Sequence, residues 1–597
     1  MGSLSNQIRK EKVLFMKKTT KTLLLAALCT TQLVTLCGGC ASSKNNPEMA
    51  SENSITSESN PETVSQNSGI SENNPASGET AENIETEEDV TILSSELSQE
   101  EQAFDAKSQT NAEALSDIAR ADCEIMEEPL SEEYAELPEN GFIATKKNDT
   151  STFSADVDTA SYSNIRRMIT NGCSLDEIPS DAVRIEEMLN YFSYDYTEPK
   201  KGEPFGVSIQ SAQCPWNTEN NIVKIGLNTE KVDFKDAPDS NLVFLIDVSG
   251  SMYDSNKLPL LTKAFSMLTN ELDKKDKVSI VTYAGEDKVV LEGVSGDQKD
   301  IILTALENLE ANGSTNGSAG IETAYKLAKE NFIKGGNNRV ILATDGDLNV
   351  GITEDEELEK FISKKKDDGI FLSVLGFGMG NYKDAKLELL ADKGNGNYAY
   401  IDNLTEAKKV MVKEMGANFT TVAKDVKLQA VFNPDAIEEY RLIGYENRVM
   451  EKKDFEDDTK DAGEIGSGHS VTALYEVKMT DTYKNLNAPN ESELTREERE
   501  DMAYNWMTLK IRYKKPEGKN STELSYICDD RNYSDTPSDD LSFAMAVAEF
   551  GMILKDSPYK GEASLDQVIQ LAKQTDTSKD SYKSEFVKLV NTIGSRN

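Results

Sequence analysis

The run Leu242-Val243-Phe244-Leu245-Ile246 closes on Asp247-Val248-Ser249-Gly250-Ser251. Five consecutive apolar residues offer no polar face to water, so they read as a buried strand. Asp-x-Ser-x-Ser then sets one carboxylate and two hydroxyls on a tight loop at that strand's C-terminal end. In open α/β sheets, ligands bind outside that edge. Oxygen donors without nitrogen or sulfur suit a hard divalent cation such as Mg²⁺. The pattern points to binding through a metal ion more than to catalysis.

Around this strand, residues 241–415 alternate between two periods. A helix follows with Leu258, Leu261, Phe265 and Leu268 on one stripe. Next come strand Val278–Tyr283, a short edge strand Val289–Leu291 and a helix over Lys299–Leu309. After the loop Asn312-Gly313-Ser314-Thr315-Asn316-Gly317, Ile321, Ala324, Tyr325, Ala328 and Phe332 mark another helix. Strands Val340–Ala343, Phe371–Gly376 and Tyr398–Ile401 then alternate with helices over 354–366, 383–392 and 404–416. This predicts an α/β unit over 240–418 with a mostly parallel sheet covered on both faces. The segment before it, 151–235, reads as α+β, with a helix over Asp181–Phe192 capped by Ser180. Residues 420–597 read as antiparallel strands followed by helices, with a capping box at Ser564-Leu565-Asp566-Gln567.

The 597-residue chain carries a formal charge of −41. No basic face is visible, which argues against a nucleic-acid partner. Lys17 and Lys18 precede the apolar stretch Leu23–Leu36, the layout of an export signal too short to span a bilayer permanently. It ends in Leu36-Cys37-Gly38-Gly39-Cys40, similar to a bacterial lipobox. That resemblance implies a diacylated Cys40 as the new N-terminus, with the signal before it removed and the protein held extracytoplasmically on a cell membrane. Residues 41–150 are rich in Ser, Asn and Glu and read as a disordered acidic tether. Outside the signal stand Cys123, Cys173, Cys214 and Cys528, with no CxxC spacing for zinc.

Three separated pieces converge on one sheet edge in this reading: Asp247, Ser249 and Ser251; Thr315 in its glycine-rich loop; and Asp345 after a central strand. Neutral hydroxyl ligands would leave a bound cation with net positive character, and so attractive to a partner's carboxylate. The set resembles the metal-ion-dependent adhesion site of von Willebrand factor type A domains, a Rossmann-like fold. The resemblance implies direct metal contacts from Ser249, Ser251 and Thr315, with Asp247 and Asp345 acting largely through water. It implies Mg²⁺, with Mn²⁺ or Ca²⁺ as substitutes. The flanks also resemble YfbK-like bacterial lipoproteins, at Ser151–Tyr162, Arg184–Phe192, Cys214–Asn217, Tyr440–Arg448 and Asp461–His469.

Competing chemistry finds less support. His469 is the single histidine and no G-x-S-x-G elbow accompanies it, so a serine hydrolase lacks its parts. No P-loop sequence occurs. Asp347 and Asn349 imitate an EF-hand start, but Val350 stands where its glycine belongs. The expectation is therefore a membrane-anchored binding module for a protein or other carboxylate-bearing ligand. The alternatives are a metal-dependent hydrolase or phosphatase, and a structural scaffold of the cell envelope.

Overall fold

The computed structural model of the protein describes residues 132–155, 158–231, 237–312, 319–346, 355–380, 382–414, 420–460, 462–486, 505–516 and 518–596. All belong to one compact unit, Glu124–Asn597. Cys40, Cys123, Thr315, Asp347 and Asn349 lie outside the described residues.

In chain order, the first flank carries β1 (Ile143–Ala144), β2 (Thr150–Ser154), α1 (Ala160–Thr170), α2 (Ile185–Asn190), β3 (Phe205–Gln213) and β4 (Asn220–Thr229). The α/β unit opens with β5 (Ser240–Asp247), α3 (Leu258–Glu271), β6 (Lys277–Tyr283), β7 (Asp287–Ser295) and α4 (Lys299–Glu307). It continues with α5 (Gly320–Glu330), β8 (Asn337–Thr344), α6 (Asp355–Asp367), β9 (Phe371–Phe377), α7 (Asp384–Lys393), β10 (Tyr398–Ile401) and α8 (Leu404–Lys408). The second flank has β11 (Thr421–Phe432), β12 (Ile437–Ile443), β13 (Val449–Met450), β14 (Gly463–Gly466), β15 (Ser470–Met479), β16 (Asn505–Lys514) and β17 (Ser521–Asp529). Helices α9 (Asp539–Leu554), α10 (Leu565–Ala572) and α11 (Ser581–Gly594) close it.

The central sheet runs β10-β9-β8-β5-β6-β7, parallel except for the antiparallel edge strand β7. Because side chains alternate across a strand, the all-apolar β5 feeds two cores. Leu242, Phe244 and Ile246 pack with Leu261, Phe265 and Leu268 of α3 on one face. Val243 and Leu245 pack with Ile321, Ala324 and Tyr325 of α5 on the other. Phe244 stacks on Phe265 with ring centroids 4.2 Å apart. This is the Rossmann-like α/β arrangement that the periodicity and the resemblance together predict.

The two flanks do not fold apart. One sheet, β1-β12-β15-β4-β3, and the other, β13-β2-β11-β16-β17, each draw strands from both sides of the α/β unit. Their facing sides share one apolar core, in which Val223 and Ile225 meet Leu428, Tyr475 and Leu509. Helix α9 lies in a second core against α1 and α2, with Phe543, Met545, Val547 and Phe550 fully or almost fully buried. Period-2 patterning identifies each strand but carries no record of which distant strand completes its ladder.

Several local expectations are corrected. Ser180 does not cap α2: it opens a separate 3₁₀ turn, Ser180–Ala182, and α2 starts after Arg184. The helix read over 404–416 is α-helical only to Lys408 and widens into a π turn at Lys409–Glu414. The tether does not extend to residue 150. Asn140 donates from Nδ2 to the Gly444 carbonyl at 2.8 Å, Phe142 packs edge-on against Tyr559, and β1 pairs with β12.

The capping box is only half formed. Ser564 Oγ accepts from Gln567 N at 3.2 Å, but Ser564 N donates to Glu549 Oε1 of α9, at 3.0 Å. Glu549 is fully buried, its Oε2 has no hydrogen-bond partner among the described residues, and desolvation raises its pKa to about 7. A folded-state pKa above the unfolded value costs stability as pH rises through the folded pKa. Glu549→Gln is therefore expected to stabilise the protein on the order of 2–3 kcal/mol above pH 8 and little near pH 5, read by urea melts at both pH values. An equal effect at the two pH values would overturn that account.

Candidate functional site

β5 delivers Asp247 to the C-terminal edge of the sheet, where its side chain is 1% exposed. The chain leaves the strand in a tight turn: Ser249 N donates to Asp247 Oδ1 at 2.9 Å. Thr344, at the end of the neighbouring β8, donates from Oγ1 to Asp247 Oδ2 at 3.2 Å and accepts from Gly346 N. Desolvation, with a further push from Asp345, raises the Asp247 pKa to about 6. Among the described residues, its hydrogen-bond partners Ser249 and Thr344 are neutral.

Above it, Ser249 Oγ and Ser251 Oγ lie 3.0 Å apart, the first buried and the second exposed. Adjacent oxygens of a Mg²⁺ octahedron with bonds of about 2.1 Å lie roughly 3 Å apart, so the two hydroxyls have the spacing of a cis pair. Among the described residues no three of His, Cys, Asp and Glu form a metal centre. A cation here would accordingly need the hydroxyl oxygens as well as the carboxylates. The residues present fit such an ion: two hydroxyls at ligand spacing, with two buried carboxylates beneath.

Asp345 is 5% exposed and is engaged by a residue not anticipated from sequence. Lys257 Nζ donates to Asp345 Oδ2 at 2.9 Å, with both side chains buried. The only sequence signal was a lysine ten residues beyond Asp247, immediately before the apolar stripe of α3. Lys257 reaches the site by lying along Gly378, which has φ +75; a Cβ there would come within 2.4 Å of the lysine stem. The structure thus brings Asp247, Ser249, Ser251 and Asp345 to one edge and adds Lys257 and Thr344.

Two large apolar side chains sit on the loops at this edge: Tyr253, 79% exposed, and Met379, 45% exposed. The loop carrying Met379 is held from below by the N-terminal segment. Gly380 N donates to Glu132 Oε1 at 3.1 Å, Glu133 N donates to the Tyr382 carbonyl at 2.8 Å, and Glu132 pairs with Arg167 at 2.9 Å. His469 lies in the turn before β15, away from this edge, and lines a small cavity of 30 Å³ with Asp158 and Glu414. Burial lowers its pKa. Cys173, Cys214 and Cys528 are free thiols. No described helix is long and apolar enough to cross a membrane.

Residues 241–413 match the von Willebrand factor type A domain family, and 128–224 match a family described as von Willebrand factor. Residues 417–595 match the family described as "Uncharacterized protein YfbK, C-terminal". The chain is 39% identical over 484 residues to "Uncharacterized protein YfbK" of Escherichia coli (strain K12), covering 79% of this chain and 83% of that one. It is 26% identical over 233 residues to the "Magnesium-chelatase 67 kDa subunit" of Chlorobaculum parvum, covering 34% of this chain and 38% of that protein. Among solved structures, a von Willebrand factor type A protein from Catenulispora acidiphila aligns with TM-score 0.36 and 14% identity over 65% of this chain and 89% of that one. With identity of this level across most of both chains, and an α/β domain of type A architecture seated between joined flanks, the protein belongs to the YfbK family.

Proposed function

We propose that the protein is a binding module that grips a carboxylate-bearing ligand, first of all an acidic side chain of another protein, through a divalent cation. Ser249, Ser251 and Thr315 would hold the ion directly, with Asp247 and Asp345 acting largely through water. Mg²⁺ is the expected ion, with Mn²⁺ or Ca²⁺ as substitutes. The observation that carries this reading is the 3.0 Å pair of serine hydroxyls over two buried carboxylates. Neutral donors leave the cation with residual positive charge, and a partner carboxylate in an open position would neutralise it. A lipid on Cys40 would hold the module on the outer face of a membrane, and the acidic residues before 132 would give it reach. The exposed Tyr253 and Met379 would give the same partner an apolar contact at the site's edge.

The test is a capture experiment from the native cell envelope, with Mg²⁺ and with EDTA. Capture is expected in Mg²⁺, lost in EDTA and lost in Asp247→Ala. Mg²⁺ is also expected to raise the melting temperature of the unaltered chain and not that of Asp247→Ala. Capture that survives chelation would defeat the metal-bridged reading. A melting shift with unchanged capture would make the metal a structural element only.

A further inference from the structure

Three strand ends lie side by side at the edge that carries the candidate metal site. Asp247 of β5 is in register with Tyr283, the last residue of β6. Thr344 of β8 is next in register on the other side, since Ile246 pairs with Ala343 and the two strands run parallel. Side chains alternate across a strand, so these three share a face with Val281, Leu245 and Leu342, which pack in one core with Ile321, Ala324 and Tyr325 of α5. The row reads Tyr283, Asp247, Thr344, with a hydroxyl on each side of one buried carboxylate.

Only one of these hydroxyls is used. Thr344 donates to Asp247 Oδ2 at 3.2 Å, long for a bond between two oxygens. Tyr283 is 2% exposed, and its hydroxyl has no hydrogen-bond partner among the described residues. Burial holds its pKa well above the usual tyrosine range, and the Asp247 carboxylate and the Thr344 hydroxyl also act on it. The residue is closely held. A Cβ on Gly320, the first residue of α5, would come within 2.9 Å of Tyr283 Cβ, and Val248 N donates to the Tyr283 carbonyl at 3.0 Å. A buried hydroxyl left unbonded is costly, and native structures keep few of them. This one stands beside a carboxylate with acceptor capacity to spare. Asp247 accepts from Ser249 N and Thr344 Oγ1, and an ionised carboxylate offers about four acceptor sites.

We propose that Tyr283 is a positioning residue of the candidate metal site, whose hydroxyl donates to the ionised Asp247 carboxylate when a divalent cation is bound. This rests on the metal reading given above. In that reading Asp247 acts through water, so the orientation of its carboxylate decides how well it serves. Asp247 must be charged to draw a cation, and a hydrogen bond to a charged oxygen is stronger than one to a neutral oxygen. The Tyr283 hydroxyl therefore contributes to ion affinity and not to the stability of the metal-free fold.

The test compares Tyr283→Phe with Tyr325→Phe in the full chain. Tyr325 of α5 also has a buried hydroxyl without a partner among the described residues, but it packs against Phe361 with ring centroids 5.4 Å apart, and burial alone raises its pKa. In EDTA both variants are expected to melt at or above the unaltered chain, because each deletes an unbonded polar atom. In calorimetric titration with Mg²⁺, Tyr283→Phe is expected to bind about tenfold more weakly, and Tyr325→Phe as the unaltered chain does. Mg²⁺ is also expected to produce a tyrosine difference band in the ultraviolet spectrum as Tyr283 begins to donate, present in Tyr325→Phe and absent from Tyr283→Phe. Equal Mg²⁺ binding by Tyr283→Phe and the unaltered chain, or equal weakening in both variants, would overturn the proposal and leave the metal reading in place. A metal-free Tyr283→Phe that melts several degrees lower would show a hydroxyl already bonded before the ion arrives, and would overturn it too. No Mg²⁺ binding by the unaltered chain would defeat the metal reading, and this proposal with it.

Discussion

Replacing Arg184 with Met is expected to cost about 3–5 kcal/mol of folding stability, the usual penalty for removing one partner from a buried ion pair. Arg184 is 4% exposed and stands where the first flank meets the α/β unit. It bridges Glu187 and Asp384 at 3.0 Å each and also pairs with Glu388, so its loss takes a guanidinium from three buried carboxylates, of which Glu388 keeps Arg448 at 3.3 Å. Burial already raises Asp384 to a pKa of about 6 and Glu388 to about 7, with Arg184 acting against that rise. Without the guanidinium both move higher. Their ordinary values are 3.8 and 4.5, so the folded chain binds more protons than the unfolded chain between the two sets of values. The associated stability is complete below about pH 4 and is lost as pH rises through the folded values. The deficit of Arg184→Met is therefore expected to be small at pH 5 and full at pH 8, measured by urea melts. A deficit independent of pH would show that the carboxylates are not left charged.

The second large effect concerns Lys257. Its ammonium neutralises Asp345 at 2.9 Å, one of the two carboxylates through which the candidate metal site would draw a cation. A unit charge about 4 Å away is worth up to about 4 kcal/mol at an effective dielectric of 20, and each 1.4 kcal/mol is tenfold in affinity. Lys257→Met keeps the apolar stem that lies along Gly378 and deletes the charge. The variant is expected to bind Mg²⁺ at least tenfold more tightly by calorimetry, and to melt lower than the unaltered chain when metal-free. Weaker Mg²⁺ binding in the variant would mean that Lys257 organises Asp345 for the ion and does not compete with it. The two variants probe separate places, since Arg184 reaches α7 and Lys257 reaches the end of β8.

Much of the α/β unit was legible because its strands are short, apolar and regularly interrupted. An all-apolar strand such as 242–246 has only one good environment, a sheet covered on both faces, and both of its faces are buried. Asp247, Ser249 and Ser251 are neighbours in sequence, so one turn sets their geometry. Asp345 joins them because parallel pairing of β5 with β8 puts the two strand ends side by side. Lys257 was not legible: a lysine before an apolar helix ordinarily faces solvent, and only the turn at Gly378 shows that this one does not. Glu549 was missed for a related reason. Four residues of sequence proposed a cap within one helix, while a carboxylate from α9 supplied the hydrogen bond.

Local sequence thus determined the order of strands and helices in the α/β unit, which faces are apolar, and that oxygen donors gather after 246. Each of these depends on side-chain period or on residues a few positions apart. Tertiary structure alone decided that strands before 230 and after 420 complete the same two sheets. It alone decided that Arg184 joins three carboxylates. Those outcomes depend on hydrogen-bond ladders and charges meeting across hundreds of residues, for which period and propensity carry no information.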